Sequence, residues 1–259
     1  MFHQIELSAR LWSAYTAQVA TNPRSIGPVE GRRAYLDGCN CQEASGVIEA
    51  REFEQLPTRP IRWRYLLARP CQQSPQDRWP LLLFLHGAGE RGEDLAMVKR
   101  HGPLKVLEQG MDLPFVIAAP QCPPGKWWNN HMLIEFLDHL LATNQIDPDR
   151  VYLTGLSMGG FGTWNLATEF PERFAAIAPV CGGGYWFLAD QLRDVPVWAF
   201  HGARDDVIPL EESERMIRAI QAAGGDARLT VYPEAGHDAW TQTYSNPELY
   251  QWFLSHRRT

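Results

Sequence analysis

The hydrophobic positions of this chain follow two patterns in turn. Continuous apolar runs, such as 81–85 and 115–119, predict strands that are covered on both faces of a sheet. Segments with apolar residues three and four positions apart predict amphipathic helices. The predicted strands lie near 47–48, 61–67, 81–85, 115–119, 151–153, 174–181, 195–200 and 228–232, and the predicted helices near 129–143, 158–170, 210–223 and 247–256. This alternation predicts an α/β fold, a doubly wound and mostly parallel sheet with helices on both faces.

The first 46 residues follow a different pattern. Apolar side chains along one face of residues 2–20 predict an amphipathic helix, which Asn22 and Pro23 end. The stretch from 22 to 46 is rich in glycine, proline and polar residues. We therefore predict an N-terminal helix and extended appendage over 1–46 and a main domain over 47–259, and assign the appendage no function.

The connection after the strand near 174–181 is short. Only residues 182–194 separate that strand from the next, too few for a helical cap domain. We predict a fold without a cap and an open site, partly walled by Tyr185, Trp186 and Phe187.

Composition limits the partners. Hydrophobic residues make up 45% and charged residues 21% of the chain, as in ordinary soluble globular proteins, and the formal net charge of −6 argues against nucleic acid or an anionic membrane as the main partner. No apolar run approaches the roughly 20 residues that cross a bilayer. The five cysteines, an odd number without a Cys-x-x-Cys pair, and an N-terminus without a secretion-signal pattern favour a cytoplasmic location, unless a leader has been removed.

The most informative motif joins the strand near 151–153 to the following helix. Gly155, Ser157 and Gly159 form a Gly-x-Ser-x-Gly pattern at this junction. Such a spacing is typical of a sharp strand-to-helix turn with the serine at its apex, where glycines avoid collisions between strand and helix. The motif predicts a nucleophilic serine at the positive end of a helix.

A candidate acid and a candidate base follow the serine, each just after a predicted strand. Asp205 and Asp206 follow the strand near 195–200, and His237 follows the strand near 228–232. Catalytic triads of a serine, an aspartate and a histidine occur in this order along the chain. In a doubly wound sheet, functional side chains also gather beyond the carboxyl ends of the strands. Either aspartate could be the acid at this point, because Asp206 could instead cap the turn before the next helix.

Backbone N–H groups are expected to stabilise the oxyanion. One belongs to Met158, after the nucleophile, and the second to the glycine-rich loop that begins at His86, with Ala88 preferred and Gly89 as the alternative. His86 and His201 each begin a His-Gly step after a strand, so we expect their rings to hold loops.

The sequence predicts neither a metal site nor a cofactor. His131, Glu135 and His139 share a helical face, but it lies opposite the apolar one and is read as solvated. No phosphate-binding glycine loop opens a helix after a strand.

Four motifs together resemble the α/β-hydrolase superfamily. They are Leu85–Gly89, Gly155–Gly160, His201–Pro209 and Gly236–Asp238. The resemblance covers about residues 47–258 and is closest to lidless esterases of the phospholipase/carboxylesterase type, which grade into feruloyl esterases and polyhydroxybutyrate depolymerase-like enzymes. In that group the acid is the aspartate of His-Gly-x-x-Asp-x-x-Val/Ile-Pro, which implies Asp205 here.

This resemblance implies a serine carboxylic-ester hydrolase with Ser157, His237 and Asp205 as its triad. A thioesterase or peptidase would use the same triad, and a non-catalytic binding protein on this scaffold is the third reading, which the presence of all three residues disfavours. The expected substrates are short-chain, aryl or carbohydrate-linked (feruloyl or acetyl) esters, either small or attached to a polymer. Aromatic side chains expected in loops at the carboxyl ends of strands would suit a sugar ring or a phenolic acyl group. They are Trp127, Trp128, Trp186 and Trp240. The sequence leaves the oligomeric state open.

Overall fold

A computed structural model describes residues 47–55, 61–70 and 78–258 of the chain. The predicted N-terminal helix and the rest of the 1–46 appendage lie outside these residues. The strands of the described part are β1 (Val47–Gln55), β2 (Ile61–Arg69), β3 (Trp79–Leu85), β4 (Val116–Pro120), β5 (Ile146–Leu156), β6 (Ala176–Val180), β7 (Val197–Gly202) and β8 (Ala227–Tyr232). Its α-helices are α1 (Gly102–Glu108), α2 (Asn130–Thr143), α3 (Met158–Glu169), α4 (Leu210–Ala222), α5 (Trp240–Ser245) and α6 (Pro247–Leu254).

The strands form a single eight-stranded sheet in the order β1-β2-β4-β3-β5-β6-β7-β8. Strand β2 pairs antiparallel with both β1 and β4, and all the other neighbours pair in parallel. The carboxyl ends of β3 to β8 therefore lie along one edge of the sheet. Because the chain reverses its winding between β4 and β5, the strands nearest this point deliver their loops to a common crevice.

Strand β3 shows why its apolar run has no polar alternation. The side chains of Leu81, Leu83 and Leu85 belong to the core on one face, together with apolar residues of α2, α3 and α4. Leu82 and Phe84 belong to the core on the other face, together with α1, α5 and α6. Every side chain of 81–85 is 0% exposed. The predicted doubly wound sheet with helices on both faces is confirmed.

Within the part of the chain that the structure describes, two α-helices, α1 and α5, extend the predicted element order, as do four 3-10 helices: Ala88–Glu90, Leu95–Lys99, Pro171–Arg173 and Trp186–Leu192. The sequence pattern predicts neither α-helix: α1 is brief and opens on Gly102 and Pro103, and α5 occupies the stretch after His237, where the sequence predicts a loop. The connection from β6 to β7 contains the 3-10 helix Trp186–Leu192 and, in the described chain, no cap domain. Within the described residues, no helix has the length and apolarity required to traverse a bilayer.

Candidate active site

Ser157 occupies the turn between β5 and α3 in a strained backbone conformation. Its φ of 54° and ψ of −116° lie in a region that side chains other than glycine rarely enter. The neighbouring backbones approach so closely that a Cβ on Gly159 would lie 1.9 Å from the Leu85 carbonyl oxygen. A Cβ on Gly155 would lie 2.4 Å from the Gly159 carbonyl oxygen. The predicted steric reason for both glycines is confirmed.

These contacts give a prediction for stability. We expect Gly159→Ala to lower the melting temperature sharply or prevent folding, because the new methyl group meets backbone on β3 that cannot rotate away. The loss should be at least about 3 kcal/mol of unfolding free energy, at the upper end of overpacking effects. Gly89→Ala is the matched control, because a Cβ there meets nothing within 4 Å. Equal thermal stability of the two variants would contradict the packing described here.

Three side chains from three loops meet at the carboxyl edge of the sheet. His237 Nε2 lies 2.9 Å from Ser157 Oγ, and His237 Nδ1 lies 2.8 Å from Asp205 Oδ2. A carboxylate can only accept, so Nδ1 carries the proton and donates to Asp205. Nε2 is then left as the acceptor for the serine hydroxyl. This arrangement can remove a proton from Ser157 as its oxygen attacks an electrophile.

The Asp205 side chain is 0% exposed and fully hydrogen-bonded. Its Oδ1 accepts the backbone N–H groups of Val207 and Ile208, each at 2.9 Å. Burial by itself raises the pKa of this carboxyl, but hydrogen bonds from His237 and the two amides outweigh it and lower the pKa. The carboxylate therefore stays ionised beside the imidazole. Of the two candidate aspartates, Asp205 contacts His237, whereas Asp206 is exposed.

His86 fixes the glycine-rich loop that was predicted to supply an oxyanion donor. The ring is 1% exposed, its Nδ1 donates to the Gly87 carbonyl at 2.7 Å, and its Nε2 accepts the Cys122 N–H at 3.0 Å. The expected loop-holding role of this histidine is confirmed. Leu85 of β3 pairs with Gly155 of β5 in the sheet. Ala88 and Met158 each follow three residues after this pair, so both lie just beyond the carboxyl ends of these neighbouring strands. Their use as oxyanion donors stays a prediction.

His86 also gives a prediction for pH. Burial, with a smaller contribution from the charge of Arg91, lowers its pKa from 6.5 to about 4 despite the bond to Gly87. The unfolded chain therefore binds an extra proton in this window, so stability falls as pH falls from 6.5 through 4. We expect the His86 contribution to the free energy of unfolding to drop by about 2 kcal/mol between about pH 7.5 and about pH 5.

Urea unfolding at both pH values measures this contribution. His86→Gln is the matched variant, because its amide oxygen can still accept the Cys122 N–H but does not titrate. Between about pH 7.5 and about pH 5, the free energy of unfolding of His86→Gln should fall by about 2 kcal/mol less than that of the wild type. Parallel losses in the two proteins would show that His86 is not held neutral by burial.

Three of the four predicted aromatic residues, Trp127, Trp186 and Trp240, are exposed or lie beside His237, and the fourth, Trp128, is buried. Trp127 and Trp186 are exposed, at 49% and 53%, in the segments after β4 and β6. Trp240 begins α5, and its ring lies 5.1 Å from the His237 ring, beside a cavity of about 80 Å³. Trp128 does not reach the surface of the site, and its prediction as a binding residue needs correction: it is 7% exposed, and its indole N–H donates to the His86 carbonyl. Packing against Trp63 holds it in the core.

Cys181, His201 and Asp205 are a group that could in principle hold a metal ion. One potential ligand atom of each lies within 4.8 Å of the others. Burial, with a smaller contribution from the Asp205 carboxylate, raises the pKa of the Cys181 thiol to about 12, so a metal ion would have to displace its proton. The polar atoms of the other two residues already have hydrogen-bond partners. These side chains fit a structural role behind Asp205 better than metal binding.

Sequence reasoning missed the residue that anchors His201. The hydroxyl of Ser213 lies 2.7 Å from His201 Nδ1, and Ser213 is 0% exposed. One signal could have found it: Ser213 shares the buried face of α4 with Met216, Ile217 and Ile220, at positions i, i+3, i+4 and i+7. A small polar residue on an apolar helix face indicates a buried hydrogen-bond partner.

Comparison with known proteins gives related sequences and folds. The model of the dienelactone hydrolase family matches residues 129–249. A poly(3-hydroxyoctanoate) depolymerase of Pseudomonas fluorescens is 25% identical over 220 residues, which cover 72% of this chain and 77% of that protein. A bifunctional acetylxylan esterase/xylanase of Neocallimastix patriciarum is 28% identical over 146 residues, or 54% of this chain. The chain spans only 21% of that relative's length.

A solved structure agrees with these relatives. The crystal structure of a thermostable esterase has a TM-score of 0.72 and is 33% identical, with 82% of this chain and 63% of that chain covered. The relatives named here are esterases and a depolymerase, which supports the predicted carboxylesterase-type hydrolase. From its sheet topology, its strained Ser157 turn and these relatives, the chain belongs to the α/β-hydrolase superfamily.

Proposed function

We propose that this chain is a serine carboxylic-ester hydrolase that works through an acyl-enzyme. The observation that carries the proposal is the unbroken chain of hydrogen bonds from Ser157 through His237 to Asp205, on a strained turn at the edge of the sheet. Each of the three side chains is held by a different loop, and the buried carboxylate is ionised. A surface serine with a solvated histidine nearby would need none of these features.

In the proposed reaction, Ser157 Oγ attacks the acyl carbon and its proton passes to His237 Nε2. The carbonyl oxygen becomes an oxyanion, for which the N–H groups of Met158 and Ala88 are the proposed donors. As the tetrahedral intermediate collapses, the bond to the leaving oxygen breaks and His237 gives that oxygen its proton. His237 then takes a proton from water, whose oxygen attacks the acyl-enzyme and releases the acid. Asp205 stays ionised throughout and holds the imidazole in the required tautomer.

Thioesters and amides are the alternative substrates for the same three residues. Initial rates on a matched oxygen ester, thioester and anilide with one acyl group separate the three activities. We expect the oxygen ester to give the highest kcat/KM, because the relatives with named activities include esterases. A higher kcat/KM on the thioester or the anilide would replace the ester assignment while leaving the triad in place.

We further propose that the acyl or alcohol part of the substrate is bulky, either aryl or attached to a polymer. Most of the large hydrophobic side chains that are exposed in the described chain follow the carboxyl ends of β4, β6 and β7, at the same edge as Ser157. They are Trp127, Tyr185, Trp186, Phe187, Leu188 and Val207. The names of two relatives, an acetylxylan esterase/xylanase and a poly(3-hydroxyoctanoate) depolymerase, agree with a polymer-linked ester.

Trp186→Ala tests this substrate class. We expect kcat/KM to fall about 3- to 10-fold on aryl, feruloyl or oligomeric esters, as for the loss of one aromatic contact, and to stay unchanged on a short acetyl ester. Leu254→Ala is the control, because this exposed side chain ends α6, next to residues that approach the amino end of β5. An equal effect of Trp186→Ala on all the esters would remove aromatic recognition from the proposal.

A further inference from the structure

A second imidazole lies behind Asp205, away from solvent. His201 is the fifth residue of β7 and is 0% exposed. Its Nε2 lies 2.9 Å from the Ile208 carbonyl oxygen and 3.3 Å from Asp205 Oδ2. The reaction proposed above does not use this ring, although it contacts the carboxylate on which that reaction depends.

The partners of the ring determine where its proton lies. A carbonyl oxygen can only accept, so Nε2 carries a hydrogen that it directs between the Ile208 carbonyl and Asp205 Oδ2. The other ring nitrogen, Nδ1, lies 2.7 Å from Ser213 Oγ. The Ser213 hydroxyl therefore has one hydrogen for two acceptors, His201 Nδ1 and the Gly182 carbonyl oxygen at 3.1 Å, and the shorter contact is the one to the ring.

His201 and His237 share one oxygen atom. Asp205 Oδ2 receives the Nδ1–H of His237 at 2.8 Å and faces the Nε2–H of His201 on its other side. Asp205 Oδ1 is occupied by the amides of the 205–208 turn. The position of Oδ2, and the share of its negative charge that is available to His237, therefore depend on His201.

We propose that His201, fixed by Ser213, is a positioning residue that holds Asp205 Oδ2 and the 205–208 turn in place for His237. This inference rests on the proposed function, because it assigns His201 a role in the same hydrolytic site. Within the described residues, the titratable groups that face the Asp205 carboxylate besides His237 are His201 and the protonated Cys181 thiol. The role differs from loop anchoring alone, because loss of the Nε2–H changes the charge that His237 experiences as well as the geometry.

The test is the rate at which a fluorophosphonate modifies Ser157, measured across pH by intact-protein mass spectrometry. This reaction needs His237 as base but no knowledge of the natural ester. In His201→Leu we expect the maximal rate to fall about 10- to 100-fold through misplacement of Asp205. We also expect the pH midpoint of the rate to rise by about half a unit. Without the Nε2–H of His201, more of the negative charge on Asp205 Oδ2 is available to stabilise protonated His237. In His201→Gln the amide N–H replaces Nε2–H, and the midpoint should return to that of the wild type.

Two further variants separate positioning from general damage to the fold. Ser213→Ala removes the anchor of the ring and should lower the rate about threefold, as expected for one net hydrogen bond. Tyr250→Phe removes a buried hydrogen bond to the Tyr244 carbonyl in the helical layer and should change neither rate nor midpoint. A purely structural role for His201 would lower the melting temperature without moving the midpoint.

The outcomes decide between the two claims. A folded His201→Leu with the rate and midpoint of the wild type would overturn the inference while leaving the triad intact. If His201→Leu does not fold, the modification rate of Ser213→Ala decides. A rate equal to that of the wild type overturns the inference. A threefold lower rate, at a melting temperature equal to that of Tyr250→Phe, supports it. A wild-type protein that the probe does not modify would refute the proposed function and this inference with it.

Discussion

Replacing Ser157 by alanine is expected to reduce ester turnover by about 10⁶-fold in kcat, as for the loss of the nucleophile from a hydrogen-bonded triad. Without Oγ, His237 has no hydroxyl to deprotonate, and no acyl-enzyme forms. Activity on a p-nitrophenyl ester should therefore fall to the level of residual, noncovalent catalysis. The measurement is the initial rate at saturating ester, with purified protein at high concentration.

The fold should survive this substitution. The turn at φ 54° is imposed by the closely packed backbones of β3 and α3, and alanine is smaller than serine. We expect a melting temperature within a few degrees of that of the wild type, which corresponds to roughly 1 kcal/mol or less. Ser255→Ala, an exposed hydroxyl near the C-terminus, is the control for the substitution itself. Retention of more than a small fraction of turnover in Ser157→Ala would assign the nucleophile elsewhere.

Replacing Asp205 by asparagine is expected to lower kcat by about 10⁴-fold, the effect seen when a triad imidazole is held in the wrong tautomer. The environment of this side chain leaves the amide no good orientation. Its oxygen can accept either from His237 or from the Val207 and Ile208 amides, so its NH₂ group faces N–H donors in both cases. The imidazole then rotates or presents Nε2–H to Ser157, which removes the base.

Asp206→Asn is the matched control for this substitution. It changes the neighbouring carboxylate in the same loop, but that residue is exposed. We expect kcat within about twofold of the wild type, because water and salt largely screen the charge of an exposed side chain. The reverse result, with a large loss at 206 and a small one at 205, would show that the catalytic acid differs from the carboxylate that contacts His237.

The sequence predicted the elements whose pattern is local. The run at 81–85 has one reading, a strand covered on both faces, and the structure places its side chains alternately in two cores. The glycines around Ser157 likewise have a local reason, since their positions follow from the close approach of strand and helix. Convergence of Ser157, Asp205 and His237 followed from strand order along the chain together with the rule that loops gather at one edge of a parallel sheet.

Other features depend on partners that no local pattern reveals. Trp127 and Trp128 are adjacent in sequence, yet one is 49% and the other 7% exposed, because the second indole packs against Trp63 and donates to the His86 carbonyl. Helix α1 is short and begins at Gly102 and Pro103, so it carries too few turns for a periodic signal. The contact of His201 with Asp205 depends on how β7 and its loop fold together, which spacing alone does not determine.

Covalent modification tests most directly whether Ser157 is the nucleophile of an ester hydrolase. Wild-type protein is treated with a fluorophosphonate, the adduct is located by peptide mass spectrometry, and residual turnover of a p-nitrophenyl ester is followed in the same samples. We predict one adduct per chain, on Ser157, that forms with the same rate constant as turnover is lost. Full turnover in protein modified at Ser157, or loss of turnover with the adduct on another residue, would contradict the claim.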